Sequence, residues 1–411
     1  MKRKREALPS SKRRIEWCQI VLAISFGALG LVACGGEGGR GGNSTRPGDS
    51  SSTKAKSADS ESVPNCRGVT AVAAGRNHTC AIVHGGAWCW GENASGQLGN
   101  NSHTDSSLPV QVAGLTSGVT AIAAGARNSC AIVNGGAQCW GDNTYGQFGS
   151  SNPGGVSSPV PVKVTGLASG VTAIAVGAYE VCAVVNGGAS CDGYAPPEMS
   201  SGATAVALGT DGSPTRQHAC AIKNGDLRCW GDNTYGQLGN DTEGDVLGMT
   251  SGVTAVAAGQ SFTCAVARGG AWCWGQNGSG NLGNDSGTTL CTVVGLAPLQ
   301  CRDQPLEVVG LTKSVTDIAT GTCHACAIVG GGVQCWGNNG DGQLGNNSTS
   351  DSHTPVQVHG MTTGATAVAG GDSHTCAVVE GRAWCWGSNS HGELGNNSSK
   401  GSDVPVPVSG L

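Results

Sequence analysis

Aromatic side chains make up only 4% of this 411-residue chain, with three Phe and four Tyr in all, and charged residues only 12%. So little bulk excludes a core of large side chains; any interior must come from small residues packed closely. A helical signal is missing as well. Across residues 68–411 no stretch keeps a 3.6-residue apolar period, which sets aside bundles and doubly wound α/β folds. Basic clusters are missing after the first 34 residues. Seven of the 23 Lys/Arg and two of the 28 Asp/Glu lie in 1–34, so the remainder carries 16 basic and 26 acidic side chains, net −10. That is not the electrostatic footprint of a nucleic-acid binder, and no nucleic-acid partner is expected. Catalytic signatures are scarce too. No Ser-His-Asp pattern, Cys-His pair, recurrent carboxylate pair or phosphate-cradling Gly loop before a helix is visible. No catalytic residue, metal or cofactor is expected.

What the chain does have is 70 Gly, 20 Cys and a repeat. Residues 68–117 restart at Gly118, Gly170, Gly202, Gly252, Ser314 and Gly364, giving seven copies with a period near 50. A fixed period of that size marks a repeat architecture. In the first copy four short segments read as strands: 69–74, 79–83, 87–90 and 109–112, each rich in β-branched or aromatic residues and bounded by Gly, Asn or Ser. Four strands per unit fit a propeller blade better than a solenoid turn, so the expected fold is all-β, a seven-bladed β-propeller.

Every copy carries Cys-x8-Cys: Cys80 and Cys89, Cys130 and Cys139, Cys182 and Cys191, Cys220 and Cys229, Cys264 and Cys273, Cys326 and Cys335, Cys376 and Cys385. The midpoint of each pair is a dipeptide ending in Gly, Asn134-Gly135 and Asn186-Gly187 among them. Asn-Gly favours a type I′ hairpin turn, whose two central residues need positive φ. Counting outward from that turn places the two Cys opposite each other at a non-hydrogen-bonded pair, about 4.5 Å apart at Cα. One cross-strand disulfide per blade is expected, each contributing on the order of 2–3 kcal/mol. Cys291 and Cys301, in an insert of the fifth copy, are expected to form an eighth. Cys66 and Cys323 have no obvious partner and could pair with each other. Cys323-His324-Ala325-Cys326 has zinc half-site spacing, but Cys326 is already paired and no second half-site follows. The Asn/Asp-rich loops at 240–245 and 338–342 lack the alternating acids of a calcium site and read as turns.

After the second Cys comes Trp-Gly-x-Asn-x-x-Gly-Gln-Leu-Gly, at 90–99, 140–149, 230–239, 274–283, 336–345 and 386–395 with single replacements. Joined to G-x-x-H-T before it and P-V-x-V after it, this resembles the regulator-of-chromosome-condensation repeat, which implies a seven-bladed β-propeller over 68–411. The family's founding activity, nucleotide exchange on a small GTPase, needs a cytoplasmic partner. Its plant ultraviolet receptor uses Trp in the G-x-x-H-T region, where this chain has Gly75-Arg76-Asn77-His78-Thr79 and no Trp in any copy. Neither function is expected here. A secreted inhibitor of β-lactamases in the same family binds its target with a propeller face, which is the nearer analogy.

Residues 1–33 have a basic head and an apolar run at 18–33, the pattern of a secretory signal. Leu31-Val32-Ala33-Cys34 resembles a bacterial lipoprotein signal, which implies that Cys34 is the lipid-bearing mature N-terminus. Gly35 and Gly36 after it favour the outer membrane by analogy with lipoprotein sorting. Residues 34–64 are Gly/Ser-rich and polar and form a flexible tether, with a reach of roughly 30 Å. The propeller domain is 65–411. Export agrees with the cysteines, since disulfides persist in oxidising compartments.

Departures from the repeat are where function is sought. The third copy stops after Cys191 without Trp or the Gly-Gln-Leu-Gly loop, so a shortened third blade is expected. The fourth inserts 210–215. The position two before the first Cys reads His78, Asn128, Glu180, His218, Phe262, His324 and His374. It offers either an axial His/acid site for a lyase or hydrolase, or local loop ties; ties are the expected role. Tyr145, Tyr179, Tyr194, Tyr235 and Phe262 are the candidate anchors of a protein-binding face, aromatic residues being frequent hot spots. The function expected is that of a monomeric, membrane-anchored, extracytoplasmic binding propeller with an unidentified protein partner. The axial enzyme is the alternative, and an exchange factor comes after it.

Overall fold

A computed structural model of the chain describes residues 68–149, 155–191, 196–210, 217–286, 289–291 and 299–411. The signal 1–33, Cys34, the tether 34–64, Cys66, Tyr194 and most of the 210–215 insert lie outside them. The described residues form seven antiparallel sheets, one per repeat. The first consists of β1 (Val69–Ala74), β2 (His78–Val83), β3 (Gly86–Gly91) and β4 (Ser106–Gln111), paired in that order. The expected fourth strand at 109–112 therefore starts earlier, at Ser106. A bulge between Cys89 and Gly91 lets Gly91 pair with Ser106 after Cys89 pairs with Val110.

The hairpin geometry follows from turn chemistry. Both central residues have positive φ in all seven turns, from His84 (50°) and Gly85 (78°) to Glu380 (51°) and Gly381 (74°). That two-residue turn fixes the register, and Cys80 lies opposite Cys89 with Cα atoms 4.0 Å apart. The expected distance of about 4.5 Å is thus slightly long. The same cross-strand disulfide joins Cys130 to Cys139, Cys182 to Cys191 and Cys220 to Cys229, each at 4.0 Å. It recurs from Cys264 to Cys273, Cys326 to Cys335 and Cys376 to Cys385, at 4.0–4.1 Å. Cys291 and Cys301 form the eighth, with Cα atoms 5.8 Å apart. Cys323 is also disulfide-bonded, to a partner outside the described residues.

The first strands of successive blades touch around the ring, and β1 meets both Val119–Ala124 of blade 2 and Ala365–Gly370 of blade 7. Their Val-Thr-Ala-Val-Ala-Ala composition permits this approach, and Ala73, Ala74, Ala123 and Ala124 are fully buried. One backbone bond recurs at every joint. The first-strand N–H donates to the hairpin-glycine carbonyl of the preceding blade, as Val119 does to Gly85, at 2.8–3.2 Å in all seven cases. Val69 makes it to Gly381 across the chain ends, while the last strand, Ser402–Pro407, stays in its own blade. No strand is exchanged to close the ring among the described residues.

Three blades depart from the pattern. Blade 3 has three described strands, Val171–Val176, Val181–Val185 and Gly188–Cys191. A 3-10 turn at Pro197–Ser200 follows, with Met199 fully buried beside Gly188 as Leu115 is beside Gly86. Blade 4 ends in a two-residue strand, Gly244–Asp245. Blade 5 gains a fifth strand, since Thr289–Cys291 pairs with Leu299–Glu307 at its outer edge.

Candidate functional site

One face carries the described loops after the first and third strands of the blades, held together by bonds such as Glu92 N–H to Asn77 O at 2.7 Å. The histidines lie beneath this face, between blades. His78 Nε2 is 2.8 Å from Ser129 Oγ of the next blade. The pairs His218–Thr263, His324–Thr375 and His374–Thr79 repeat the contact at 2.9–3.0 Å. Each hydroxyl in turn donates to a backbone carbonyl of the preceding blade: Ser129 to Gln97, Thr263 to Gln237, Thr375 to Gln343 and Thr79 to Glu393. A hydroxyl has one proton, so the imidazole must supply the other; these are Nε2–H tautomers donating to Oγ. Burial pushes the histidines down, His78 and His374 to about 3 and His218 and His324 to about 4, so all four are neutral near pH 7.

The same carbonyl takes a second donor, an indole. Trp140 Nε1 donates to Gln97 O at 2.8 Å, and Trp274, Trp336, Trp386 and Trp90 donate to Gln237, Asn281, Gln343 and Glu393. The loop glycine that follows must be Gly for close approach: a Cβ on Gly99, at φ +66°, would lie 2.8 Å from Trp140 Nε1.

The latch residues covary along the single chain. Where the next blade offers Ser129, Thr263, Thr375 or Thr79, the preceding residue is His. Where the next blade offers Val181, Ala219 or Ala325 instead, the preceding residue is Asn128, Glu180 or Phe262. An imidazole is present only where a hydroxyl can receive its proton. The expected role of ties is met, and the histidines do not line an open axial cavity. The signal lay in the residue before each first Cys, a column that has meaning only beside the histidine column.

Two of the aromatic anchors are corrected by burial. Phe262 is 1% exposed and Tyr235 7%, so neither presents a surface to a partner. Phe262 packs between blades, its ring over Gly259. Tyr145 and Tyr179 come together, ring centroids 4.6 Å apart at 82°, from blades 2 and 3. Tyr145 is 58% exposed. Beside it a cavity of about 450 Å³ opens among Gln147, Gly149, Leu167, Val181 and Ser190. Nearer the axis Arg76 and Asp372 form an ion pair at 3.9 Å. Burial raises Asp372 to about 6, against the pull of Arg76. Among the described residues the one compact Cys/His/acid group is Glu180 with Cys182 and Cys191. Both sulfurs are in one disulfide, so no thiolate is available to a metal.

No curated protein matches the chain. Among solved structures it is similar to yeast RCC1 (Prp20) bound to Kap60, at 19% identity over 84% of this chain and 75% of that one, TM-score 0.47. Human WBSCR16 is similar at 19% identity, covering 83% and 81%, TM-score 0.48. The CRINKLY WD40 ectodomain of the Arabidopsis thaliana receptor kinase ACR4 is similar at 16%, covering 78% and 96%, TM-score 0.44. The Regulator of chromosome condensation (RCC1) repeat matches residues 84–132, 134–184, 224–266, 330–378 and 380–411, and a second description of that repeat matches 69–97, 119–147 and 365–393. These matches span more than half of the sequence, and the chain belongs to the Regulator of chromosome condensation (RCC1) repeat family.

Proposed function

We propose that this protein is an exported, lipid-anchored, monomeric propeller that binds a protein partner through the loop face bearing Tyr145 and Tyr179. The observation that carries the reading is the commitment of the four buried histidines to inter-blade latches. Their protons are used in structure, which removes the visible basis for an axial acid–base site. What remains on that face is a rigid array of polar loops and an aromatic pair of which Tyr145 is exposed, a surface suited to recognition. Eight disulfides among the described residues accord with an oxidising compartment. The basic head, the apolar run and Leu31-Val32-Ala33-Cys34 supply the anchor, with the outer membrane favoured.

Two measurements test the proposal. Labelling with a radioactive fatty acid should mark the full chain and not Cys34→Ser, which should leave the membrane fraction; equal labelling of both removes the anchor. A partner captured from the native envelope should be lost with Tyr145→Ala and retained with Leu290→Ala, at the distant edge of blade 5. Loss with both, or with neither, removes that face.

A further inference from the structure

The cavity beside Tyr145 occupies the place where five other joints hold a tryptophan. At those joints the indole of the following blade lies against the loop glycine: a Cβ on Gly99, Gly239, Gly283, Gly345 or Gly395 would meet Trp Nε1 at 2.7–2.9 Å. Its N–H donates to the carbonyl two residues before that glycine. Blade 2 keeps the receiving half, with Gln147, Phe148 and Gly149 in the same loop and Gly149 at φ +87°. Blade 3 keeps the strand that would deliver the ring, but its sequence continues from Cys191 to Asp192. A Cβ on Gly149 would meet Thr165 rather than an indole.

Neither the indole found at five joints nor the hydroxyl found at four of them donates here. Val181 stands where Ser129, Thr263, Thr375 and Thr79 stand, and no described residue donates to Gln147 O. Asn128, fully buried at the same joint, has neither side-chain amide atom hydrogen-bonded. Buried polar groups are nearly always paired, and this joint leaves both the donor and the acceptor of one buried amide unused. The lining sets apolar Leu167, Val181 and Ala183 beside polar Gln147, Thr165 and Ser190, and the volume of about 450 Å³ falls among small-ligand sites, which run from roughly 300 to 1,000 Å³.

We infer that the joint between blades 2 and 3 is a binding site for an indole ring supplied from outside the propeller, its N–H donating to Gln147 O and its faces against Val181 and Leu167. The ligand chemistry is read from five tryptophans of this same chain in equivalent positions. The inference goes beyond the protein-partner reading and needs neither the lipid nor the face to be correct. Free indole compounds and a tryptophan side chain of a polypeptide share this chemistry.

The test is calorimetric titration of the full-length chain with indole, 1-methylindole, N-acetyltryptophanamide and the peptide Gly-Trp-Gly. Indole should bind saturably, and 1-methylindole about tenfold more weakly, because it leaves Gln147 O without a donor. Ser190→Trp should abolish binding: Ser190 pairs with Ala183 as Trp88 pairs with Ala81, so a tryptophan there has precedent in this fold. Should that variant not fold, Ser190→Leu should still weaken binding at least tenfold. Gly-Trp-Gly binding at least tenfold tighter than indole assigns the site to a polypeptide tryptophan; equal or weaker binding assigns it to a small molecule. No saturable binding of either indole or the peptide at millimolar concentration overturns the inference, as does binding indifferent to N-methylation and to both Ser190 variants.

Discussion

The joint between blades 1 and 2 and the joint between blades 2 and 3 share a backbone and little else. At the first, Trp140 and Ser129 meet Gln97 O, and His78 completes the chain of donors. At the second, Val181 and Asn128 occupy the corresponding positions and Gln147 O receives no described donor. Yet the first-strand bond to the hairpin glycine is 2.9 Å in both, Val119 to Gly85 and Val171 to Gly135. The ring geometry therefore rests on the hairpin-glycine bond and the alanine-lined first strands. The polar latches add stability to joints already placed, and a joint can lose its latch and remain in register.

Acid should separate the two kinds of joint most strongly. The four latch histidines are held well below the ordinary value of 6.5, at about 3 to 4. Between those values and 6.5 the unfolded chain binds more protons, so stability is full above pH 6.5 and falls as pH drops. The loss is up to about 1.4 kcal/mol per pH unit for each imidazole. Asp372, raised to about 6, works in the opposite sense, as do Glu393 and His391, both also raised, but the four imidazoles outnumber them. Denaturant midpoints measured from pH 7.5 to 4 should show this fall; a flat profile breaks the latch argument. Next in size, Trp140→Ala at a complete joint should cost about 3–5 kcal/mol. Tyr145→Ala at the open joint should lie within about 0.5 kcal/mol of wild type, and comparable losses would erase the distinction.

A smaller effect probes the covariation. Thr263→Ala strands the His218 donor and should cost about 1–3 kcal/mol. Adding His218→Phe, which copies the Phe262/Ala325 joint, should recover part of it, and a double-mutant cycle with no coupling would separate the two columns. The smallest expected effect is at the rim. Arg76→Ala removes a partly exposed ion pair to Asp372 and should change stability by about 1 kcal/mol or less.

Much of the fold was legible because its determinants are local. The Asn-Gly turn and the Cys-x8-Cys spacing are read within one hairpin, and the positive φ at Asn134 and Gly135 is what that dipeptide favours. That is why the staples from Cys130 to Cys139 and from Cys376 to Cys385 follow from the sequence, with blades of quite different loops between them. The missing Trp after Cys191 announced a reduced third blade. The start of the fourth strand was misplaced because a bulge at the third strand sets it, and no residue of the fourth strand announces that bulge. The latches were harder still. His78 and Ser129 are 51 residues apart in different repeats, so a histidine column read alone cannot distinguish a ligand from a tie. Tyr235 and Phe262 read as surface anchors in sequence because an aromatic side chain in a loop motif looks alike whether it points out or packs between blades.

Closure without strand exchange has a consequence for how such a ring can be cut. Each described blade is a contiguous stretch of chain, and the joint across the termini uses the same bonds as the rest: Val69 to Gly381, Thr79 to Glu393 and Trp90 to Glu393. The position of the chain break is thus physically arbitrary among the well-formed joints. Joining residue 411 to residue 68 through two residues, as Thr116 and Ser117 join Leu115 to Gly118, and opening the chain between blades 6 and 7 should preserve every described hairpin, blade disulfide and latch. In this architecture the order of blades around the axis is specified, while the place at which synthesis begins is not.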